Sequence, residues 1–196
     1  MIRFRLLGTK PPSGSSRPAL ALLVIVLLAP LRAGAVTGSW LFIDTVTETL
    51  QVVQDNEVKR VFHNIAIGRN GAEFDHHRGD GRTPLGIFHI AWINPDSRFR
   101  RFFGLDYPSI GEAEDAFRRK LIDFDTYFTI RKAHYFHQLP PQDTALGGHI
   151  GIHGLGHASR FLHDHSNWTL GCIALTNEQI DELAKWVSLG TEVVIY

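Results

Sequence analysis

Cys172 is the only cysteine in the chain, and the residues around it are of the types that turn a thiol into a nucleophile. Cysteine reacts as the thiolate, so it needs an imidazole, a cation or aligned backbone N–H groups beside it. Thr169-Leu170-Gly171 lead into it, and Gly171 permits a tight turn in which the N–H groups of Gly171 and Cys172 point at a developing oxyanion. Upstream, the apolar run Ile150-Gly151-Ile152 delivers His153-Gly154, so a strand end can present an imidazole as general base. Fifteen mostly polar residues separate His153 from Thr169, a loop long enough to let the two strand ends meet. A lone thiol is often only a small buried hydrophobe. The neighbours of Cys172 favour chemistry.

His149, His157, His163, Asp164 and His165 lie in or beside the same stretch and are of metal-ligating type. Their spacing matches no compact structural zinc pattern, and a metal on the thiolate would quench the nucleophile. Solvated or substrate-facing histidines are expected, with no metal and no cofactor.

Twenty basic residues balance twenty acidic ones, so no global field draws the protein to nucleic acid. Arg3, Arg5, Lys10 and Arg17 precede the uncharged run Ala19 to Leu31, which ends in Arg32-Ala33-Gly34-Ala35. A basic region, a short apolar region and an Ala-x-Ala site form a secretory signal, and the run is shorter than the roughly 20 residues of a spanning helix. Cleavage after Ala35 is expected, with residues 1–35 as signal and 36–196 as one exported domain. A single cysteine cannot close an internal disulfide, and a free thiol in an oxidising compartment needs a reason to persist.

The elements that position the pair read mainly β. Leu41 to Val53 alternates as one strand, turns at Gln54-Asp55-Asn56-Glu57 and returns through Phe62, a hairpin. Gly81-Arg82-Thr83-Pro84-Leu85-Gly86 is a constrained loop before the strand Ile87 to Trp92. Pro95 to Pro108, basic and aromatic, reads as irregular cover. A helical insert is expected over about 109–138, with Ser109 as N-cap and the aromatics Tyr127, Phe128, Tyr135 and Phe136 in packing roles. Thr176 with Gln179 makes a capping box for a C-terminal helix running to Ser188, and Glu192 to Tyr196 makes a last strand.

His153-Gly154, Thr169-Leu170-Gly171-Cys172, the Gly79 to Gly86 loop, Gly104-Leu105-x-Tyr107-Pro108 and the Pro140 to Gly148 stretch together resemble the L,D-transpeptidases of the YkuD type. These remodel bacterial cell-wall peptidoglycan. The run from Trp168 to Glu178 is similar to the YafK-like members. The resemblance, which covers roughly Ser39 to Tyr196, implies an α+β β-sandwich or barrel with a helical insert and a C-terminal helix. It implies cysteine acyl transfer on stem peptides, with Cys172 as nucleophile, His153 as general base and acid, and Gly171 as oxyanion donor. Many relatives have His or Arg where this chain has Leu170, and Arg or Asn where it has Ala174. Arg82 or Arg160 would replace the lost carboxylate contact, beside Gly154, Trp168 and Thr169 from the motif. The partners implied are peptidoglycan stem peptides and an amine acceptor or wall-linked protein, for a monomer in the periplasm or cell wall. An L,D-carboxypeptidase or amidase with the same pair, and an inactive wall-binding module, stay open at this point.

Overall fold

A computed structural model describes residues 38–196, so the export signal expected over 1–35 lies outside the described residues. The chain opens with an antiparallel meander, β1 (Trp40–Asp44), β2 (Thr49–Gln54) and β3 (Glu57–His63). The sequence reads Leu41 to Val53 as one strand; a turn splits it. Asp44 Oδ1 accepts the N–H groups of Val46 and Thr47, both at 2.9 Å, and this side-chain turn overrides the strand-forming character of Thr45 and Val46. The second turn has Asp55 and Asn56 at φ 54° and 59°, as a tight two-residue hairpin requires.

After the parallel pair β4 (Ala72–Glu73) and β5 (Thr83–Pro84) comes a long hairpin, β6 (Gly86–Ser97) with β7 (Arg100–Leu105). This corrects the reading of residues 95–108 as irregular. Its proline sits where the β6–β7 register shifts between Asn94 and Ser97, a bulge that needs no Pro95 donor. The insert then folds as α1 (Ile110–Arg118) and α2 (Phe124–Tyr135), with the Ser109–Glu112 capping box in place. Ala113, Ala116, Ile122, Ile130 and Leu146 give it a small core of its own.

The catalytic-motif strands β8 (Gly151–His153) and β9 (Ile173–Ala174) flank a loop that carries a short helix, α3 (Arg160–His165), where the sequence shows only a polar stretch. Next come α4 (Asn177–Leu183), capped by Thr176 and Gln179, and β10 (Glu192–Ile195). The helix stops short of the expected Ser188, because past Leu183 the chain tightens, Lys185 and Trp186 donating three residues back to Glu182 and Leu183.

Eight strands make one mixed sheet in the order β3-β2-β1-β10-β6-β7-β8-β9. Ala66, just past β3, bridges Ala174 of β9 through two backbone bonds of 2.9 and 2.7 Å, so the two ends of the sheet curl towards each other. The result is the mainly β architecture with a few helices that the sequence implies. Leu41, Ile43, Ile152, Ile173, Leu175 and Val193 are fully buried in its core, and Ile180 and Leu183 pack α4 against it. Two of these, Ile152 and Ile173, sit side by side beneath the candidate site. No helix among the described residues is long and apolar enough to cross a membrane.

Candidate active site

The parallel pairing of β8 and β9 sets the geometry. Ile152 aligns with Ile173 and His153 with Ala174, so Cys172, one step before Ile173, stands level with Gly151. Side chains alternate faces along a strand. Cys172 and His153 therefore share a face, two positions apart on adjacent strands. The sequence expects the loop to bring the two motif residues together, and the strand register sets them two positions apart on adjacent strands. No hydrogen bond joins thiol and imidazole among the described residues; the Cys172 Sγ–H instead donates to the His149 carbonyl at 3.4 Å.

Cys172 is held by its loop. Thr169 is buried, and its hydroxyl donates to the Cys172 carbonyl at 2.6 Å while accepting the Gly171 N–H at 3.2 Å. Thr169 is thus a clasp on the turn, and the Gly171 N–H, read from the sequence as an oxyanion donor, is engaged by it. Gly171 has φ +129°, and a Cβ there would lie 2.7 Å from the Arg82 carbonyl oxygen and 2.9 Å from Ile150 Cδ1. No other residue fits without moving the Arg82 loop. Burial pushes the Cys172 thiol up to about 11, opposed in part by the Gly151 N–H.

The imidazole is held by the sheet. His153 Nδ1–H donates to the Gly154 carbonyl at 2.7 Å, which leaves Nε2 with its lone pair free to accept a proton. Phe99 stacks on its ring at 4.3 Å, Phe102 lies nearly parallel to it at 5.8 Å, and Trp168 is edge-on at 6.0 Å. Burial pushes its pKa down to about 4, the Gly154 carbonyl opposes this, and the Arg98 and His163 charges add to it. At neutral pH the resting pair is a protonated thiol and a neutral imidazole.

The remaining sequence candidates fall in several places. Trp168 links the site to His163, its indole N–H 3.4 Å from His163 Nδ1. Gly154 is packed so closely that a Cβ would meet Ile180 and the Phe99 carbonyl at 2.8 Å. The backbone of Arg82 abuts Gly171, but its guanidinium pairs with Glu73 at 3.0 Å. Arg160 pairs along its own helix with Asp164 at 2.8 Å and is largely exposed. His163 is buried, His165 stacks on Phe161, and His149 is exposed. No group of three or more His, Cys, Asp or Glu side chains among the described residues is placed to hold a metal.

Sequence reasoning missed a buried pair behind the nucleophile. His76 Nδ1 lies 2.9 Å from Asp80 Oδ1, and Asp80 also accepts the N–H groups of His77 and Arg82, both at 2.9 Å. The His76 ring contact is out of line for a good hydrogen bond, and burial pushes this histidine down against the pull of the Asp80 charge. His76 Cε1 comes within 3.6 Å of the space a Gly171 Cβ would fill. The one available signal was the His-x-x-x-Asp spacing ahead of Arg82. Phe99 was missed too, because the tip of β6–β7 was read as irregular.

A family model for the L,D-transpeptidase catalytic domain, YkuD, matches residues 38–195. Among solved structures, the helical cell shape determining protein Pgp2 from Campylobacter jejuni is similar at TM-score 0.51 and 20% identity, covering 81% of this chain and 47% of that one. Bd1075 from Bdellovibrio bacteriovorus is similar at TM-score 0.52 and 18% identity, covering 82% of this chain and 48% of that one. The chain thus spans just under half the length of each, and the likeness is one of fold. A comparison with curated proteins gave no match.

Proposed function

The chain belongs to the YkuD family of L,D-transpeptidase catalytic domains, and on that premise we propose that it is a cysteine acyl-transferase acting on peptidoglycan stem peptides. The observation that supports this most is the shared face of His153 and Cys172 on β8 and β9, with Nδ1 of the imidazole tied to Gly154 and Nε2 left free. In the first half-reaction, Sγ bonds to the carbonyl carbon on the L-centre side of an L,D peptide bond while the thiol proton passes to His153 Nε2. The oxyanion is stabilised by the Cys172 N–H. Collapse breaks the C–N bond, and the imidazolium proton leaves with the amine of the terminal D-residue. In the second half, an acceptor amine attacks the thioester, gives its proton to His153, and the proton returns to sulfur, leaving a crosslink.

Water in place of the amine gives an L,D-carboxypeptidase. Ala174, fully buried beside His153, and the exposed apolar Leu170 favour this second reading, because neither offers a polar contact to an acceptor. Residues 1–35 would direct export to the periplasm or wall. Incubation with a defined tetrapeptide stem, with and without a free amine, separates the two. An acyl adduct on Cys172 that resolves to a crosslinked mass supports transpeptidation, and one that resolves to the tripeptide in both arms supports hydrolysis. No adduct, with Cys172 intact, overturns both.

A further inference from the structure

The tip of the β6–β7 hairpin reaches across to the candidate base. Gly156, at φ +59°, leaves room for the Arg98 carbonyl, which any Cβ there would strike, and Gly154 leaves room for the Phe99 carbonyl. The Gly154 N–H donates to the Arg101 carbonyl at 3.3 Å, and the tip is closed on itself by Phe99 N–H to Ser97 Oγ at 3.2 Å. These contacts bring the Phe99 ring flat onto the His153 ring, centroids 4.3 Å apart and planes 28° from parallel. Phe102 lies nearly parallel on the imidazole at 10°, and Trp92 stacks on Phe102 in turn at 4.7 Å. Outside this tier, the Arg98 guanidinium sits over Phe99, 4.7 Å from its centroid. Its neighbours Arg100 and Arg101 both turn to the shared Asp181, away from this tier. Among the described residues Arg98 has no ion-pair partner, and its contact is with the Phe99 ring.

We propose that Arg98 and Phe99 are positioning residues for the cysteine chemistry: the hairpin tip fixes the His153 ring and places a cation behind it, keeping His153 a neutral proton acceptor. The inference rests on the acyl-transfer reading for its consequence but on the hairpin geometry for its substance. A cation on the far face of a stacked ring raises the free energy of a second positive charge on the imidazole. Once the thiol proton has arrived, the same cation drives it on to the leaving amine. The clamp thus assists departure of the leaving group and opposes premature thiolate formation. The groups that face His153 are Arg98 from the hairpin tip, His163 from α3 by way of Trp168, and Cys172 on the neighbouring strand, with the Arg101–Asp181 pair alongside β7.

The test is a pH titration of the His153 ring nitrogens by NMR in the full chain, read beside the pH profile of Cys172 acylation by a tetrapeptide stem. Arg98→Met keeps the stem length at an exposed site and removes the charge; it should raise the His153 midpoint by about half a unit or more. Arg98→Lys should restore it, and Phe99→Leu, which thins the cover, should raise it as well. The acid limb of acylation should move with the midpoint. A midpoint unmoved in Arg98→Met, or a Lys variant that behaves like Met, overturns the clamp. The titration needs no turnover, so a chain that never acylates but whose midpoint shifts as described sinks the acyl-transfer reading and leaves the clamp standing.

Discussion

The two halves of the candidate site are built by different means. His153 stands on β8 between paired strands, with Phe99 and Phe102 stacked against its ring and its Nδ1 bonded one residue away. Cys172 lies just outside β9, on a turn kept in shape by the Thr169 hydroxyl, the bare α-carbon of Gly171 and the carbonyls of His149 and Arg82. The base is positioned by packing, which is stiff and shared among many contacts. Cys172 is positioned by a few contacts, of which those of the Thr169 hydroxyl and of the bare Gly171 α-carbon can each be lost to a single substitution. Such a division would suit the proposed acyl transfer, in which the sulfur would swing from the His149 carbonyl to the substrate carbon while the proton acceptor stayed where it is.

Substitutions on the two sides should therefore fail differently. Cys172→Ala should abolish acylation entirely while leaving the fold intact, since the side chain is small and only partly buried; a residual adduct in the mass spectrum would move the nucleophile elsewhere. Gly171→Ala should come next, with acylation down at least about 100-fold, because a methyl group meets the Arg82 carbonyl and φ +129° is strained for any other residue. Near wild-type acylation by this variant would mean that the turn is not rigid. Thr169→Val leaves two buried backbone groups without their partner and should cost about 1–3 kcal/mol in denaturant unfolding. On the His153 side, Phe102→Leu should lose less in acylation rate than Gly171→Ala, since Phe99 still covers the ring.

pH sharpens the same contrast. His153 has a folded pKa of about 4, below its value in the unfolded chain, so the unfolded state binds the proton first as pH falls. Its contribution is fully present above about pH 6.5 and is lost between there and about pH 4, roughly 3 kcal/mol in all. His76 and His163 are pushed down by burial and act in the same direction. Denaturant unfolding at pH 7 and pH 4.5 measures the sum. For the thiol, alkylation by iodoacetamide should climb steadily up to about pH 11 with no plateau near neutrality. A plateau below pH 7 would mean that the pair rests as thiolate and imidazolium.

Local structure was legible in the sequence wherever a few adjacent residues decide it. The tight turn at Gly171, the Ser109 N-cap and the Thr176–Gln179 capping box needed no knowledge of distant chain. The hairpin from Gly86 to Leu105 was hidden because its outer half carries arginines, a proline and aromatics, a composition that also describes a loop. Its partner strands are chosen by tertiary pairing. The same holds for Phe99 against His153 and for His76 behind Gly171: each contact joins segments far apart in sequence. The turn at Asp44 was missed for the opposite reason, a single side chain outweighing a run of strand formers.

The smallest expected effect concerns Arg82, which touches the nucleophile loop and yet points away from it. Its carbonyl abuts Gly171, a contact that any side chain at position 82 preserves, and its N–H is held by Asp80 at 2.9 Å. The guanidinium is about half exposed and pairs with Glu73 across β4 and β5. An ion pair of this kind contributes about 0–1 kcal/mol. Arg82→Ala should therefore leave the alkylation rate of Cys172 unchanged within a factor of about two, as expected for a change away from the reacting atoms. If the guanidinium leaves Glu73 to bind the terminal carboxylate of a stem peptide, the same variant raises KM for that peptide with kcat little altered. An unchanged KM removes Arg82 from the substrate side and leaves its backbone as the part that matters. A slowed alkylation would show instead that the Glu73 pair holds the loop on which Gly171 rests, and that the nucleophile is less independent of its surroundings than its few contacts suggest.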